Sequence, residues 1–203
     1  MTYPVSVGKM DWATPLGLTK IEKKIKDPAW YPPESVRMEH AARGDILPKV
    51  FPAGPDNPLG LFAMRLAIPG GAYMIHGTNK PAGVGMQVTH GCMRLYPEHI
   101  EELFKMVSVD TPVRIVNQPH KVGWSDGSLY VEVHPPLEAT DGSVVAPDRT
   151  ALARLVTNAA RLQSGVLIVW ARAESAFEGG QGIPVAVNEG GSGALASTAV
   201  GAP

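Results

Sequence analysis

The stretch Thr89-His90-Gly91-Cys92-Met93-Arg94 contains the only cysteine of this 203-residue chain. A thiol becomes a useful nucleophile when a nearby base or positive charge stabilises its thiolate. The glycine before the cysteine lets the backbone bend, so that amide N–H groups can approach a substrate and hold the oxyanion of an acyl-transfer intermediate. The segment therefore predicts a nucleophile, Cys92, and an oxyanion hole built from the amides of Gly91 and Cys92.

A second histidine, His76, lies upstream in Ile75-His76-Gly77-Thr78 and offers another candidate base. Taken alone, this histidine is more often structural, and a single cysteine such as Cys92 is more often a small buried apolar residue. The combination of one thiol with two histidines, His76 and His90, favours nucleophilic catalysis instead.

The complete pattern carries a resemblance to a known family. His76-Gly77-Thr78, followed after the spacer 79–88 by Thr89-His90-Gly91-Cys92-Met93-Arg94-Leu95, is similar to the signature of the L,D-transpeptidase catalytic domain, the YkuD-type domain. The resemblance covers roughly residues 3 to 138. Further similar stretches are Tyr3–Gly8, Thr14–Gly17, Pro28–Trp30, Gly54–Gly60 and Tyr130–Leu137.

The resemblance implies specific roles for the catalytic pair. Cys92 is expected to attack the substrate and His76 to take its proton, with the carbonyl of Gly77 orienting the ring of His76, because a base needs a third group to fix its tautomer. His90 is expected mainly to shape the loop near the active site, while a role as a second base stays open.

Two further residues of the signature are assigned to substrate binding, Thr89 and Arg94. The guanidinium of Arg94 matches a substrate carboxylate in bidentate geometry. A structural ion pair that holds the loop to the body of the protein is the other interpretation of Arg94, and the sequence leaves both open.

The activity implied by the resemblance is peptidoglycan L,D-transpeptidation, which contributes to cell-wall organisation and cell shape. Cys92 would form a thioester with a tetrapeptide stem, release D-alanine and pass the acyl group to an acceptor amine. The expected partners are peptidoglycan stem peptides, with an envelope lipoprotein as another candidate acceptor. No metal or cofactor is expected, and the expected location is the periplasm or cell envelope.

Two alternatives accompany this interpretation. On the same scaffold, water would resolve the thioester, giving an L,D-carboxypeptidase or endopeptidase that needs the same nucleophile and base. A non-enzymatic zinc module would instead use His76, His90, Cys92 and His99. Structural zinc sites usually present two or more cysteines at short spacing, and this chain has one.

Composition excludes several other classes of protein. The net charge of -1 and pI near 6.6 give no polybasic footprint for nucleic acid. The hydrophobic content of 44% is typical of a globular protein. No apolar run approaches the length of a transmembrane helix, and one cysteine cannot form an intramolecular disulfide.

The hydrophobic pattern predicts a mainly β protein with one helix after the cysteine loop and a small C-terminal helical addition. The resemblance implies that the β-rich part has the sandwich-like L,D-transpeptidase catalytic fold. Helices are predicted over Pro97–Val107 and Asp148–Ser164. Strands are predicted over Tyr3–Val7, Thr19–Lys26, Leu61–Ile68, Val113–Val116, Leu129–Val133 and Val166–Trp170. The turn 54–60 is expected to lead into the Leu61 strand.

The resemblance implies an L,D-transpeptidase catalytic domain over 1–138. The pattern beyond it predicts a helix–strand addition over 139–173 and a largely disordered tail over 174–203, most clearly from Asn188. The first predicted strand has almost nothing before it and would expose an unpaired edge. We therefore expect further strands and an export signal ahead of this start, that is, an N-terminally truncated domain.

Overall fold

The computed structural model describes residues 1–9, 12–70, 73–137 and 146–190. These described residues divide into two compact units, the first lying within 1–116 and the second made of 117–137 and 146–190. Within the described ranges, no helix is both long and apolar enough to cross a membrane.

The first unit is built on a five-stranded sheet with the strand order β6-β4-β3-β2-β7. Neighbouring strands are antiparallel except β4 and β6, which are parallel, and β1 pairs with β5 in a separate parallel ribbon. The elements are β1 (Val7–Gly8), β2 (Gly17–Lys26), α1 (Glu34–Ala41), β3 (Phe62–Leu66), β4 (Met74–His76), β5 (Gln87–Thr89), β6 (Met93–Arg94), α2 (Pro97–Met106) and β7 (Pro112–Ile115), with a 3₁₀ turn at Pro81–Gly83.

The core of this unit lies between the sheet and α2. Its buried members are Ile21, Phe62, Met64, Leu66, Leu95 and Ile100. The helix begins at Pro97, whose fixed φ suits a first helical position, and Glu98 in the first turn favours the positive end of the helix. Ile100 of α2 is 1% exposed and belongs to this core, so α2 packs against the sheet that carries the signature residues.

The second unit pairs a small antiparallel sheet with two helices. The strand order is β10-β9-β8. The elements are β8 (His120–Ser125), β9 (Ser128–Val133), α3 (Arg149–Ala160), α4 (Trp170–Gly179) and β10 (Val185–Ala186). Alternate residues of β9 point into one core, where they meet both helices. The buried members are Leu129, Val131, Val133, Leu152, Val156, Ala173 and Val187.

The structure confirms the β-rich class and most of the predicted elements. The predicted strand over Thr19–Lys26 is β2, and the helix after the cysteine loop is α2. The C-terminal helix is α3, whose N-cap, Asp148, accepts a hydrogen bond from the Ala151 N–H at 2.9 Å.

Two predicted strands are wrong in part. Of Tyr3–Val7, only the end is paired: Ser6 forms a bridge with Arg94, and β1 begins at Val7. Tyr3 instead packs against the core of the first unit. The apolar run Val166–Trp170 forms a single bridge, from Ile168 to Asn188, because α4 already begins at Trp170. Short apolar runs fit either a strand or a buried helix end, which explains this error.

The predicted domain boundaries differ from the two compact units. The hairpin β8–β9 was assigned to the catalytic domain, but its apolar face packs with α3 and α4, so residues 117–137 belong to the second unit. The tail assigned to 174–203 contains most of α4 and β10, and Asn188 is buried. The rest of that predicted tail, residues 191–203, lies outside the described residues.

Asn188→Ala should destabilise the protein by about 1–3 kcal/mol, because the Asn188 side chain accepts a hydrogen bond from the buried Leu129 N–H at 2.8 Å and donates to the Gly127 carbonyl at 3.2 Å. Urea unfolding of both proteins measures this difference. Asn158→Ala, at an exposed position on α3, is the matched control and should cost nothing measurable. Equal stability of the two variants would contradict the structural role of Asn188.

Candidate active site

The parallel pairing of β4 and β6 brings the two halves of the signature together. In this register His76 lies opposite Arg94 and Ile75 lies opposite Met93. The Leu95 N–H donates to the His76 carbonyl at 2.9 Å and extends the pairing. Because Cys92 directly precedes β6, the cysteine enters the sheet beside the strand that ends in His76.

The ring of His76 is hydrogen-bonded to the next residue along the chain. Its Nδ1 lies 2.6 Å from the carbonyl oxygen of Gly77. A carbonyl oxygen only accepts hydrogen bonds, so Nδ1 carries the proton and Nε2 is the nitrogen with a lone pair. A side chain on residue 77 would stand 3.1 Å from Ile100 Cγ2, so glycine allows α2 to pack closely at this point.

Burial controls the protonation state of His76, which is 5% exposed. Desolvation lowers its pKa from 6.5 to about 4, and the positive charge of Arg94 acts in the same direction. The carbonyls of Gly77 and Leu59 favour the protonated ring and oppose this shift without cancelling it. At neutral pH the ring is therefore a neutral imidazole that can accept a proton at Nε2.

Cys92 is half-buried, and its thiol is desolvated. Desolvation raises the pKa of its thiol, while a hydrogen bond to the backbone of Met74 and the charge of Arg94 pull the pKa back down. Met74 is on β4, two positions before His76, so the strand that carries the base also contacts the thiol. At rest both members of the pair are uncharged, and nucleophilic attack requires the proton to leave the sulfur.

Three backbone carbonyls of the turn that carries Cys92 accept hydrogen bonds. The carbonyl of Thr89 accepts from the backbone N–H of Lys9 at 2.9 Å, and that of Gly91 accepts from the Thr14 hydroxyl at 3.0 Å. The Cys92 carbonyl accepts from the Thr89 hydroxyl at 2.6 Å. These bonds fix the peptide planes of the turn, which is the requirement for a preorganised oxyanion hole.

Gly91 supplies the bend that this turn needs. Its φ is +92°, in the region that side chains rarely adopt. A Cβ at this position would also stand 2.8 Å from Cε1 of Tyr73. The sequence-based reason for a glycine before the cysteine therefore agrees with the backbone geometry.

The two residues assigned to substrate binding occupy different environments. Thr89 is 2% exposed, and its hydroxyl donates to the Cys92 carbonyl within the turn. Arg94 lies beside Cys92, and its Nε has no hydrogen-bond partner among the described residues.

His90 has a partner that the sequence did not predict. Its Nε2 lies 2.6 Å from Oε2 of Glu39, a residue of α1 that is 51 positions away along the chain. Trp12 packs edge-on against the ring of His90, with 5.3 Å between the ring centroids. The loop-shaping role of His90 is consistent with these contacts.

A second unpredicted support comes from the turn 54–60. The buried side chain of Asn57 donates to the carbonyls of Pro28, Phe51 and Pro52 and accepts from the Leu59 N–H at 2.9 Å. The Leu59 carbonyl, held in this way, contacts the His76 ring. In the sequence, these contacts were indicated only by the similarity of Pro28–Trp30 and Gly54–Gly60 to the L,D-transpeptidase catalytic domain.

The zinc alternative required His76, His90, Cys92 and His99 to converge. Instead, His76 binds the Gly77 carbonyl, His90 binds Glu39, and His99 stacks between Tyr3 and Tyr96 at 4.9 and 5.4 Å. The described part of the chain contains no group of three histidine, cysteine, aspartate or glutamate side chains placed to hold a metal ion.

Comparisons with known proteins agree with this arrangement. Residues 1–115 match the family model described as YkuD, L,D-transpeptidase catalytic domain. The chain is 38% identical over 195 residues to the "Probable L,D-transpeptidase YbiS" of Escherichia coli strain K12, an alignment that covers 93% of this chain and 61% of that protein. It is 44% identical over 138 residues to the "Probable L,D-transpeptidase YcfS" of the same strain, covering 66% of this chain and 43% of the relative.

The chain thus spans about half the length of these curated relatives. A solved structure, the catalytic domain of the Enterococcus faecium L,D-transpeptidase acylated by ertapenem, aligns at 21% identity over 57% of this chain and 80% of that one. Its TM-score of 0.42 is too low to add to the assignment. The family model and the sequence identities carry the conclusion: this chain belongs to the YkuD family of L,D-transpeptidase catalytic domains.

Proposed function

We propose that this chain is a cysteine-dependent peptidoglycan L,D-transpeptidase that acts outside the cytoplasm, where its substrate lies. The observation that supports this most directly is the neutral His76 ring, whose Nδ1–H is held by the Gly77 carbonyl and whose strand also contacts the Cys92 thiol. A base oriented by a third group beside a thiol is the arrangement that activates a cysteine nucleophile.

The first half of the proposed reaction forms a thioester. His76 Nε2 takes the proton of the Cys92 thiol as the sulfur attacks the carbonyl carbon of the peptide bond between the third residue of a tetrapeptide stem and its terminal D-alanine. The amides of Gly91 and Cys92 hold the oxyanion. The carbon–nitrogen bond then breaks, and the proton on His76 passes to the leaving amine, so D-alanine departs.

The second half returns the enzyme to its starting state. An acceptor amine, from a diamino acid on another stem, attacks the thioester carbonyl and gives its proton to His76. The carbon–sulfur bond breaks, and the proton returns to Cys92. An envelope lipoprotein amine is chemically equivalent as acceptor, and water in its place would give the carboxypeptidase reaction. We assign Arg94 to binding of a stem carboxylate; its charge acts on the Cys92 thiol, which supports a role close to the reacting bond.

Incubation with purified disaccharide-tetrapeptide, followed by mass analysis of the products, tests this function. We expect loss of one alanine and formation of a cross-linked dimer. Accumulation of the tripeptide alone, unchanged when an amine acceptor is added, would assign the water-resolved reaction instead. No loss of alanine at all would contradict the proposal.

Cys92→Ser should keep the fold and lose detectable D-alanine release, because a hydroxyl is far less readily ionised than a thiol. Circular dichroism checks the fold and mass analysis checks release. In the unmodified protein, a tetrapeptide donor whose diamino-acid amine is blocked should let an acyl adduct accumulate on Cys92. Substantial turnover by the serine variant would show that the nucleophile is assigned wrongly.

His76→Ala should slow alkylation of Cys92 by iodoacetamide near neutral pH by at least about ten-fold, because the buried thiol loses its proton acceptor. His90→Ala, the matched control in the same signature, should have a much smaller effect. Alkylation rates of both variants across pH measure the difference. Equal rates, or a larger effect of His90→Ala, would transfer the role of base to His90.

The acid limb of kcat/KM should lie near pH 4 rather than near 6.5. Below its pKa the His76 ring is protonated and cannot accept the thiol proton, and burial lowers that pKa to about 4. Activity should therefore persist at pH 5 and decline as the pH passes through about 4. D-alanine release from pH 3.5 to 7, with circular dichroism at each pH to confirm folding, measures the limb. A limb near 6.5 would mean that water reaches the ring.

A further inference from the structure

Glu39 makes three charged contacts next to the cysteine turn. Its Oε2 lies 2.6 Å from His90 Nε2, and its Oε1 lies 2.7 Å from Lys9 Nζ and 3.4 Å from Arg43. Both oxygens of the carboxylate are therefore occupied. A carboxylate accepts hydrogen bonds, so Nε2 of His90 carries a proton and the orientation of the ring is fixed from outside the signature.

The partners of Glu39 connect directly to the turn. His90 lies within it, and the backbone N–H of Lys9 donates to the Thr89 carbonyl at 2.9 Å. The Thr89 hydroxyl in turn donates to the Cys92 carbonyl at 2.6 Å. Glu39 is thus linked to the segment 89–92, whose Gly91 and Cys92 amides would hold the oxyanion.

The charge of Glu39 persists across the working range of pH. Hydrogen bonds to His90 and Lys9 lower the pKa of the carboxyl to about 2. The bond to His90 is therefore made to a carboxylate, and charge-assisted hydrogen bonds are shorter and stronger than neutral ones.

We propose that Glu39 is a positioning residue for acyl transfer: by holding Nε2–H of His90, it keeps the segment 89–92 aligned to stabilise the oxyanion. This inference rests on the proposed function, because an oxyanion forms only if Cys92 attacks a carbonyl group. A carboxylate that merely tied α1 to the rest of the unit would affect stability and leave the chemistry of the turn unchanged.

Two small probes separate alignment of the turn from reactivity of the thiol. With p-nitrophenyl acetate, Cys92 attacks the ester carbonyl, a thioester forms, p-nitrophenolate leaves and His76 takes the thiol proton, so the reaction passes through an oxyanion. With iodoacetamide, the sulfur displaces iodide from a saturated carbon, and no oxyanion forms. The ratio of the acylation rate to the alkylation rate therefore measures how well the site stabilises an oxyanion. Loss of folded protein lowers both rates equally and leaves this ratio unchanged.

Glu39→Gln should lower the rate of acylation by p-nitrophenyl acetate about ten-fold, less than the loss of an oxyanion donor itself. Alkylation by iodoacetamide should stay within about two-fold, since the thiol and His76 are untouched. Glu34→Gln removes the same charge from an exposed position on the same helix and should change neither rate. In a His90→Ala background, Glu39→Gln should have no further effect on acylation.

Three results would overturn the inference. The first is an unchanged acylation rate in Glu39→Gln, and the second is an equal loss of the acylation and alkylation rates. The third is a ten-fold loss of the acylation rate when Glu39→Gln is added to His90→Ala. The tetrapeptide takes no part in these measurements. A protein that shows the expected ratio but releases no D-alanine from tetrapeptide would contradict the proposed function while supporting the role of Glu39.

Discussion

The parallel pairing of β4 with β6 is the constraint on which the candidate site depends. Parallel strands cannot be joined by a tight hairpin, so the intervening segment must cross over before re-entering the sheet beside β4. That crossover ends in the turn that carries Cys92, and the register places His76 opposite Arg94. A slip by one residue would turn the His76 side chain to the other face of the sheet.

Burial then sets the chemistry of the pair. It lowers the pKa of His76 and raises that of Cys92, so it favours the uncharged form of both groups. Arg94 modifies this balance from one side, because its charge disfavours the imidazolium and favours the thiolate. The hydrogen bond from Nδ1 of His76 to Gly77 decides which nitrogen remains available to the proton.

The long excursion between β2 and β3, residues 27–61, supports both halves of the site. One part of it, α1, supplies Glu39 to His90, and the other part, the turn around Asn57, holds the Leu59 carbonyl against the His76 ring. The buried amide of Asn57 satisfies three carbonyls of the excursion, which keeps this irregular backbone in one conformation. Residues outside the family signature therefore help to orient its two histidines.

Local features of this protein can be predicted from short stretches of sequence. The strands β2 and β3, the proline at the start of α2 and the glycine beside Cys92 depend on patterns of a few residues, and the structure contains each. The packing of the hairpin β8–β9 in the second unit and the contact of Glu39 with His90 follow only from the three-dimensional arrangement. Those outcomes depend on which surfaces pack together across long stretches of chain, and no local period or motif encodes that choice.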